Sequence, residues 1–216
     1  MAGKIYVFGD LHIGSPESHY EIGIEEIRRK EDIDTLILAG DTLELRYGPV
    51  EEVFERFYTF RDALQEIGLL KRTILLPGNH DAGIMHKFWQ SGLILKAHAW
   101  IWCRGNSVLV VHGDGIGLER AIAANQGRRN RNALRLLKQQ LLEERPDFFP
   151  PLSASDWVVT AHFQIPQNDP HWRVCGISDW TGNPRSGLKR RYAIIDPTAA
   201  TVERQVTLGI GQLPIS

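Results

Sequence analysis

Hydrophobic and polar positions along the chain fall into two regimes. In the first half, short apolar runs of strand length alternate with stretches of helical spacing. Lys4–Gly9 predicts a strand, and Glu21–Lys30 sets Ile22, Ile24 and Ile27 at helical intervals with charges between them. Thr35–Ala39 has the continuous apolar pattern of a buried strand. Val50–Ile67 predicts a longer amphipathic helix, opened after Pro49 and stopped by Gly68, and Arg72–Leu76 predicts a third strand. Strand, helix, strand, helix, strand implies right-handed crossovers and a largely parallel sheet.

After a short helix near Gly83–Gln90 the pattern becomes β-rich. Ala97–Cys103 and Ser107–Val111 predict adjacent strands around an Arg-Gly-Asn turn. Leu118–Glu144 predicts a helix broken near Gly127. Trp157–Phe163, Trp172–Ile177, Arg190–Ile195 and Thr201–Leu208 then predict strands, with Pro197-Thr198 in the last turn. Arg145–Ser155 contains three prolines and reads as a return loop within one domain spanning 1–216. The expected architecture is α/β, with two packed sheets and helices outside.

Composition narrows the class without naming a chemistry. The 216 residues are 43% hydrophobic and 24% charged, which excludes a disordered or fibrous chain. A formal charge of -1 argues against a general polyanion binder. Two cysteines build neither a disulfide scaffold nor a Cys-rich zinc site. The N-terminus meets an acid too early for a signal peptide, and no apolar run approaches the ~20 residues of a membrane span. These features predict a soluble cytoplasmic protein.

The chemistry lies at the strand tips. The first predicted strand ends Gly9-Asp10-Leu11-His12, the second Gly40-Asp41, and the third Gly78-Asn79-His80-Asp81. Ser107–Val111 runs into His112-Gly113-Asp114, and Trp157–Ala161 into His162. Ligands of open α/β sheets bind at the carboxyl ends of strands, so these tips are expected to converge. A single Asp-x-His is a weak signal, whereas five such tips in order point to a metal centre. Mixed oxygen and nitrogen donors without thiolate suit Mn²⁺, with Fe, Zn²⁺, Ni²⁺, Co²⁺ or Mg²⁺ as alternatives. The donors are too many for one ion, so two divalent ions are expected, with Asp41 as the candidate bridge. Such a pair lowers the pKa of a shared water, which attacks phosphorus, and clamps the phosphoryl oxygens.

Asp10-x-His12, Gly40-Asp41, Gly78-Asn79-His80-Asp81, His112 and Ala161-His162-Phe163-Gln164 resemble the calcineurin-like metallophosphoesterase superfamily, in order and over roughly the whole chain. The resemblance implies a four-layer α/β/β/α sandwich of two mixed sheets with a dinuclear site. It implies that Asp10 and His12 hold the first metal, that Asp41 bridges, and that Asn79, His112 and His162 hold the second. His80, with Asn79, would face the substrate phosphate, and Asp81 would hold the His80 ring as its acid–base partner. The family usually ends this set with Gly-His-x-His; here Gln164 replaces the last histidine, a harder and weaker donor that points to a looser first site.

His112-Gly113-Asp114, Gly176–Thr181 and Asn183–Ser186 are similar to the branch containing UDP-2,3-diacylglucosamine pyrophosphatase, although that branch carries arginine at the position of His80. This favours small phosphodiesters or pyrophosphate-linked nucleotides. Leu118–Arg145 holds seven basic residues against three acids and forms a basic helical insertion at about 117–150 beside the site. Arg128 and Arg131, nearest its break, are the candidate substrate contacts, against the plainer reading of a solvated amphipathic helix. Phosphomonoesterase, protein phosphatase and nuclease readings of the same superfamily stay open. So does a catalytically reduced scaffold that acts as a binding module, with Gln164 as its support. A small phosphorylated substrate is favoured over nucleic acid.

Overall fold

The computed structural model describes residues 3–114, 131–144, 150–162, 167–177, 180 and 190–211. A six-stranded sheet has the order β11-β10-β1-β2-β3-β4, built from β1 Lys4–Phe8, β2 Ile33–Ala39, β3 Thr73–Leu76, β4 Ile94–Leu95, β10 Arg190–Ile195 and β11 Val206–Gly211. β1 to β4 are parallel, while β10 and β11 join antiparallel. The second sheet, of order β5-β6-β7-β9-β8, comprises β5 Ala99–Cys103, β6 Asn106–Val111, β7 Trp157–Thr160, β8 Gln167–Asp169 and β9 Val174–Gly176. Its three central strands β6, β7 and β9 are parallel. Both sheets are therefore mixed.

Strand periodicity explains the layers. In β1, Tyr6 and Phe8 face one core and Val7 the other; in β2, Leu36 and Leu38 part from Ile37 and Ala39 in the same way. The first face packs against α1 (Tyr20–Arg28) and α2 (Val50–Glu66), whose buried Val53, Phe54, Phe57, Phe60 and Leu64 form one helical stripe. The second face packs against β5, β6, β7 and β9. The outer residues of that second sheet, Leu109, Val111, Val158 and Val174, are covered by Leu134, Leu137 and Leu141 of α4 (Arg131–Glu144), which follows the single-turn α3 (Met85–Phe88). The result is the expected α/β/β/α sandwich. Central strands covered on both faces need continuous apolar runs, which is how the sequence presents them.

Three details differ from the sequence expectation. β4 and β8 were not foreseen: one is two residues long, and the other, Gln-Asn-Asp, is too polar to signal a strand. The segment expected as a strand over Thr201–Leu208 begins instead with a helical turn, α5 (Val202–Gln205), and only then enters β11. The Gln205 side-chain amide donates to the Arg104 carbonyl, and the Gln205 backbone carbonyl accepts from Asp196 N–H, which fixes that turn. Among the described residues, no helix is long and apolar enough to cross a membrane.

Two basic residues of α4, Arg135 and Lys138, serve the fold. Arg135 forms a two-nitrogen contact with Asp169 of β8 at 2.8–2.9 Å. Lys138 is buried and donates to the carbonyls of Ala154, Asp156 and Trp172 at 2.6–3.0 Å. Lys138→Met is expected to strip donors from these acceptors and cost about 2 kcal/mol. Thermal unfolding should then fall by roughly 4–8 °C; an unchanged midpoint would show that the three bonds contribute nothing.

Candidate metal centre

Past the ends of β1 and β2 the chain stops being regular but keeps pairing. Asp10 N–H donates to Gly40 O, His12 N–H to Asp41 O, Ile13 N–H to Thr42 O, and Glu44 N–H back to Ile13 O, at 2.9–3.0 Å. This ladder holds the two acid-bearing loops side by side. It also requires an unusual backbone. Asp10, His12, Asp41 and His162 have φ between 47° and 57°, four of the five described non-glycine residues with positive φ. Left-handed backbone costs a side-chain-bearing residue on the order of 1–2 kcal/mol, and such strain concentrates where a functional geometry is enforced. Trp180, buried and stacked on Phe8 at 5.0 Å, buttresses the first loop by donating its N–H to Asp10 O.

The side chains converge in two groups that share Asp41. Asp10, His12 and Asp41 form one and Asp41, His112 and His162 the other; a third group, His12, Glu44 and His80, adjoins the first through His12, with ligand atoms within 4.8 Å of one another in each. Asn79 joins the second group through its side-chain oxygen, 3.4 Å from His112 Nε2. His112 Nδ1 lies 2.8 Å from the Ala39 carbonyl, which turns Nε2 toward Asp41 at 3.3 Å. His162 N–H donates to Asp10 Oδ2, tying the last tip to the first. Burial pushes the Asp41 carboxyl up, but the hydrogen bond and charge of His112, together with His80, outweigh it and hold it at about 2. Burial pulls His112 down, yet its bond to Asp41 and the charges of Asp10 and Asp41 raise it to about 9. Buried carboxylates around inward-facing imidazole nitrogens form a donor set that fits two divalent cations.

Glycines make the approach possible. A Cβ on Gly40 would stand 2.4 Å from His112 Nδ1, and one on Gly78 would stand 2.2 Å from Asp41 Oδ1 and 2.3 Å from Asp41 N. Gly78→Ala is expected to push the shared carboxylate away, destabilising by about 2 kcal/mol and lowering metal-dependent turnover on the order of a hundredfold. A fully active Gly78→Ala protein would contradict this geometry.

The carboxylate partner of His80 differs from the sequence expectation. Asp81 is fully buried and accepts the backbone N–H groups of Thr42, Leu43 and Gly78 at 3.0–3.1 Å. It staples the turn after β3 to the loop after β2. The His80 ring is held instead by Glu44, whose Oε2 lies 2.9 Å from Nδ1 and 3.6 Å from His12 Nδ1. Arg46 in turn grips Glu44 through Nε and Nη2. Glu44 escaped the sequence reading; its signal was a second acid three residues after Asp41 at the same strand tip. His80 also donates its backbone N–H to Asp41 Oδ1 at 2.9 Å.

Asp10, His12, Asp41, Glu44, His80 and His162 open onto a cleft of about 260 Å³ whose described lining also includes Ser15, Glu17, Arg46 and Tyr47. Gln164 and Arg128 lie outside the described residues; Arg131 is the first residue of α4, and its side chain is not described.

Comparison with known proteins agrees with this architecture. The calcineurin-like phosphoesterase family model matches residues 3–192. A search of curated proteins finds no match. Among solved structures, the chain is similar to a hypothetical protein of Pyrococcus horikoshii at 12% identity and a TM-score of 0.58, covering 98% of this chain and 89% of that one. It is similar to an archaeal phosphodiesterase at 15% and 0.50, covering 96% and 99%. It is also similar to wild-type Vps29 of Entamoeba histolytica complexed with Zn²⁺, at 12% and 0.50, covering 96% and 97%. At such identities these likenesses show the fold. The family match is of another kind: it runs from the start of β1 into β10 and takes in Asp10, His12, Asp41, Asn79, His80, His112 and His162, so the chain belongs to the calcineurin-like phosphoesterase family of metal-dependent phosphoesterases.

Proposed function

We propose that this protein is a dinuclear phosphodiesterase acting on a small phosphodiester or pyrophosphate-linked substrate. Asp10 and His12 would hold one ion, Asn79, His112 and His162 the other, and Asp41 both, with Mn²⁺ the favoured metal for this nitrogen and oxygen set. When bound, the cations supply positive charge that acidifies a water and neutralises phosphoryl oxygens. The chain's own groups do the rest. Glu44 fixes His80 Nδ1, leaving Nε2, 3.9 Å from Asp41 Oδ2, to face the cleft and protonate the leaving oxygen. The His80 N–H keeps the Asp41 carboxylate in orientation.

One observation carries the preference for a diester. Four acids, Asp10, Glu17, Asp41 and Glu44, face a single arginine among the described lining residues, and that arginine is bound to Glu44. A monoester dianion calls for side-chain cations beyond the metals, whereas a diester carries one negative charge.

The test is hydrolysis of bis(p-nitrophenyl) phosphate and p-nitrophenyl phosphate by metal-stripped protein resupplied singly with Mn²⁺, Mg²⁺, Ni²⁺, Zn²⁺ or Co²⁺. Metal-dependent turnover at least about tenfold faster on the diester is expected. A monoester preference overturns the diester reading. No turnover in protein that binds cations would favour the binding-module alternative.

A further inference from the structure

We infer that Tyr47 is a stacking platform for a nucleobase, so that the substrate is a nucleoside phosphodiester; this rests on the phosphodiesterase reading above. Most large exposed side chains, such as Trp89, Trp102 and Trp172, lie away from the cleft lining. Among the described residues, Tyr47 is the exposed aromatic that lines it, with 60% of its surface open. Its position is built. Tyr47 ends the 3-10 turn Leu45–Tyr47, whose Arg46 N–H is accepted by the Glu44 side chain, and Gly48-Pro49 leads directly into α2. Leu45 packs against the core and anchors the turn from beneath.

The contacts lead outward from the reacting end in order. His80 meets Glu44 at 2.9 Å, Glu44 meets Arg46 at 2.9 Å through Nε, and the Arg46 guanidinium carbon stands 6.0 Å from the Tyr47 ring centroid. Tyr47 is thus two side chains removed from the group assigned to the leaving oxygen. A base set off from its phosphate by a sugar suits an aromatic face displaced from the reacting end in this way. Because Arg46 is committed to Glu44, this end of the cleft offers a substrate an aromatic face more than a free charge. Bases stack on such faces without sequence preference, since every base has a π-face.

The experiment compares two diesters in which the sugar 5′-oxygen leaves and methyl phosphate is released, thymidine 5′-(methyl phosphate) and its abasic 1,2-dideoxyribose analogue, in Mn²⁺-loaded protein. The wild type is expected to prefer the thymidine ester by roughly tenfold or more in kcat/KM, mainly through KM. Tyr47→Ala should erase that ratio, Tyr47→Phe and Tyr47→Trp should keep it, and Trp89→Ala, on an exposed residue outside the cleft lining, should leave it unchanged. A wild type indifferent to the base, or a Tyr47→Ala protein that retains the preference, overturns the assignment. Hydrolysis of neither ester overturns the phosphodiesterase reading and this one with it.

Discussion

Asp41→Asn is expected to lower metal-dependent turnover by roughly a thousandfold or more, since a carboxylate shared by both ligand groups would bear on the charge at both of the proposed ions, and metal charge stabilises the transition state by several kcal/mol. The substitution conserves volume, and the amide oxygen can still accept the His80 N–H that now reaches Asp41 Oδ1. Loss of folding is therefore not the expected cause. A second readout separates the two. A cation bound only by folded protein and present at 100 times its Kd stabilises by about 2.7 kcal/mol, which for a chain of this size raises the midpoint by roughly 5–10 °C. The wild type should show this shift on Mn²⁺ addition, and Asp41→Asn should lose most of it. A variant that keeps both the shift and activity within tenfold of wild type would mean that Asp41 is not shared.

The second large effect concerns His80 and the two acids near it. His80→Ala is expected to lower kcat by about 10²–10⁴ while leaving most of the Mn²⁺-induced shift in place, because the two groups that share Asp41 stay complete, although His80 stands with His12 and Glu44 in a third cluster of ligand atoms. Glu44→Gln removes the charge that orients Nδ1 and should cost roughly a hundredfold, with little loss of fold. Asp81→Ala should behave differently. It leaves the N–H groups of Thr42, Leu43 and Gly78 without their buried acceptor, which costs about 3 kcal/mol or more, and the protein should unfold several degrees earlier. Should Glu44→Gln be fully active while a stably folded Asp81→Asn is not, the partner of His80 has been assigned to the wrong acid.

Much of the fold was legible because the central strands are covered on both sides. Within β2, Leu36–Ala39 is apolar on both faces since Leu36 and Leu38 meet the first core while Ile37 and Ala39 meet the second sheet, and no polar alternation masks the signal. Val50–Glu66 was equally clear, with its start set by Pro49 and its buried stripe by the phenylalanines. β8 was not legible, because the polar Gln167–Asp169 owes its strand to antiparallel pairing with the following β9 and to Arg135, remote in sequence, gripping Asp169. The basic character of α4 was plain, but its use was not: Lys138 points into the structure and is satisfied by carbonyls from three separate residues.

The same division runs through the site. By itself the sequence determined that acids, an amide and imidazoles stand at successive strand tips, because an apolar run must end where the chain leaves the core, and parallel strands end on one side. Which carboxylate serves which partner was decided only by tertiary structure. The loop after β2 and the turn after β3 bury backbone N–H groups that must find acceptors, and Asp81, brought between them, is taken for that purpose. The loop after β2, held against the loop after β1 by backbone pairing outside any regular strand, carries Glu44 to the His80 ring instead. No periodicity encodes that crossing, since it depends on where two irregular loops meet in space.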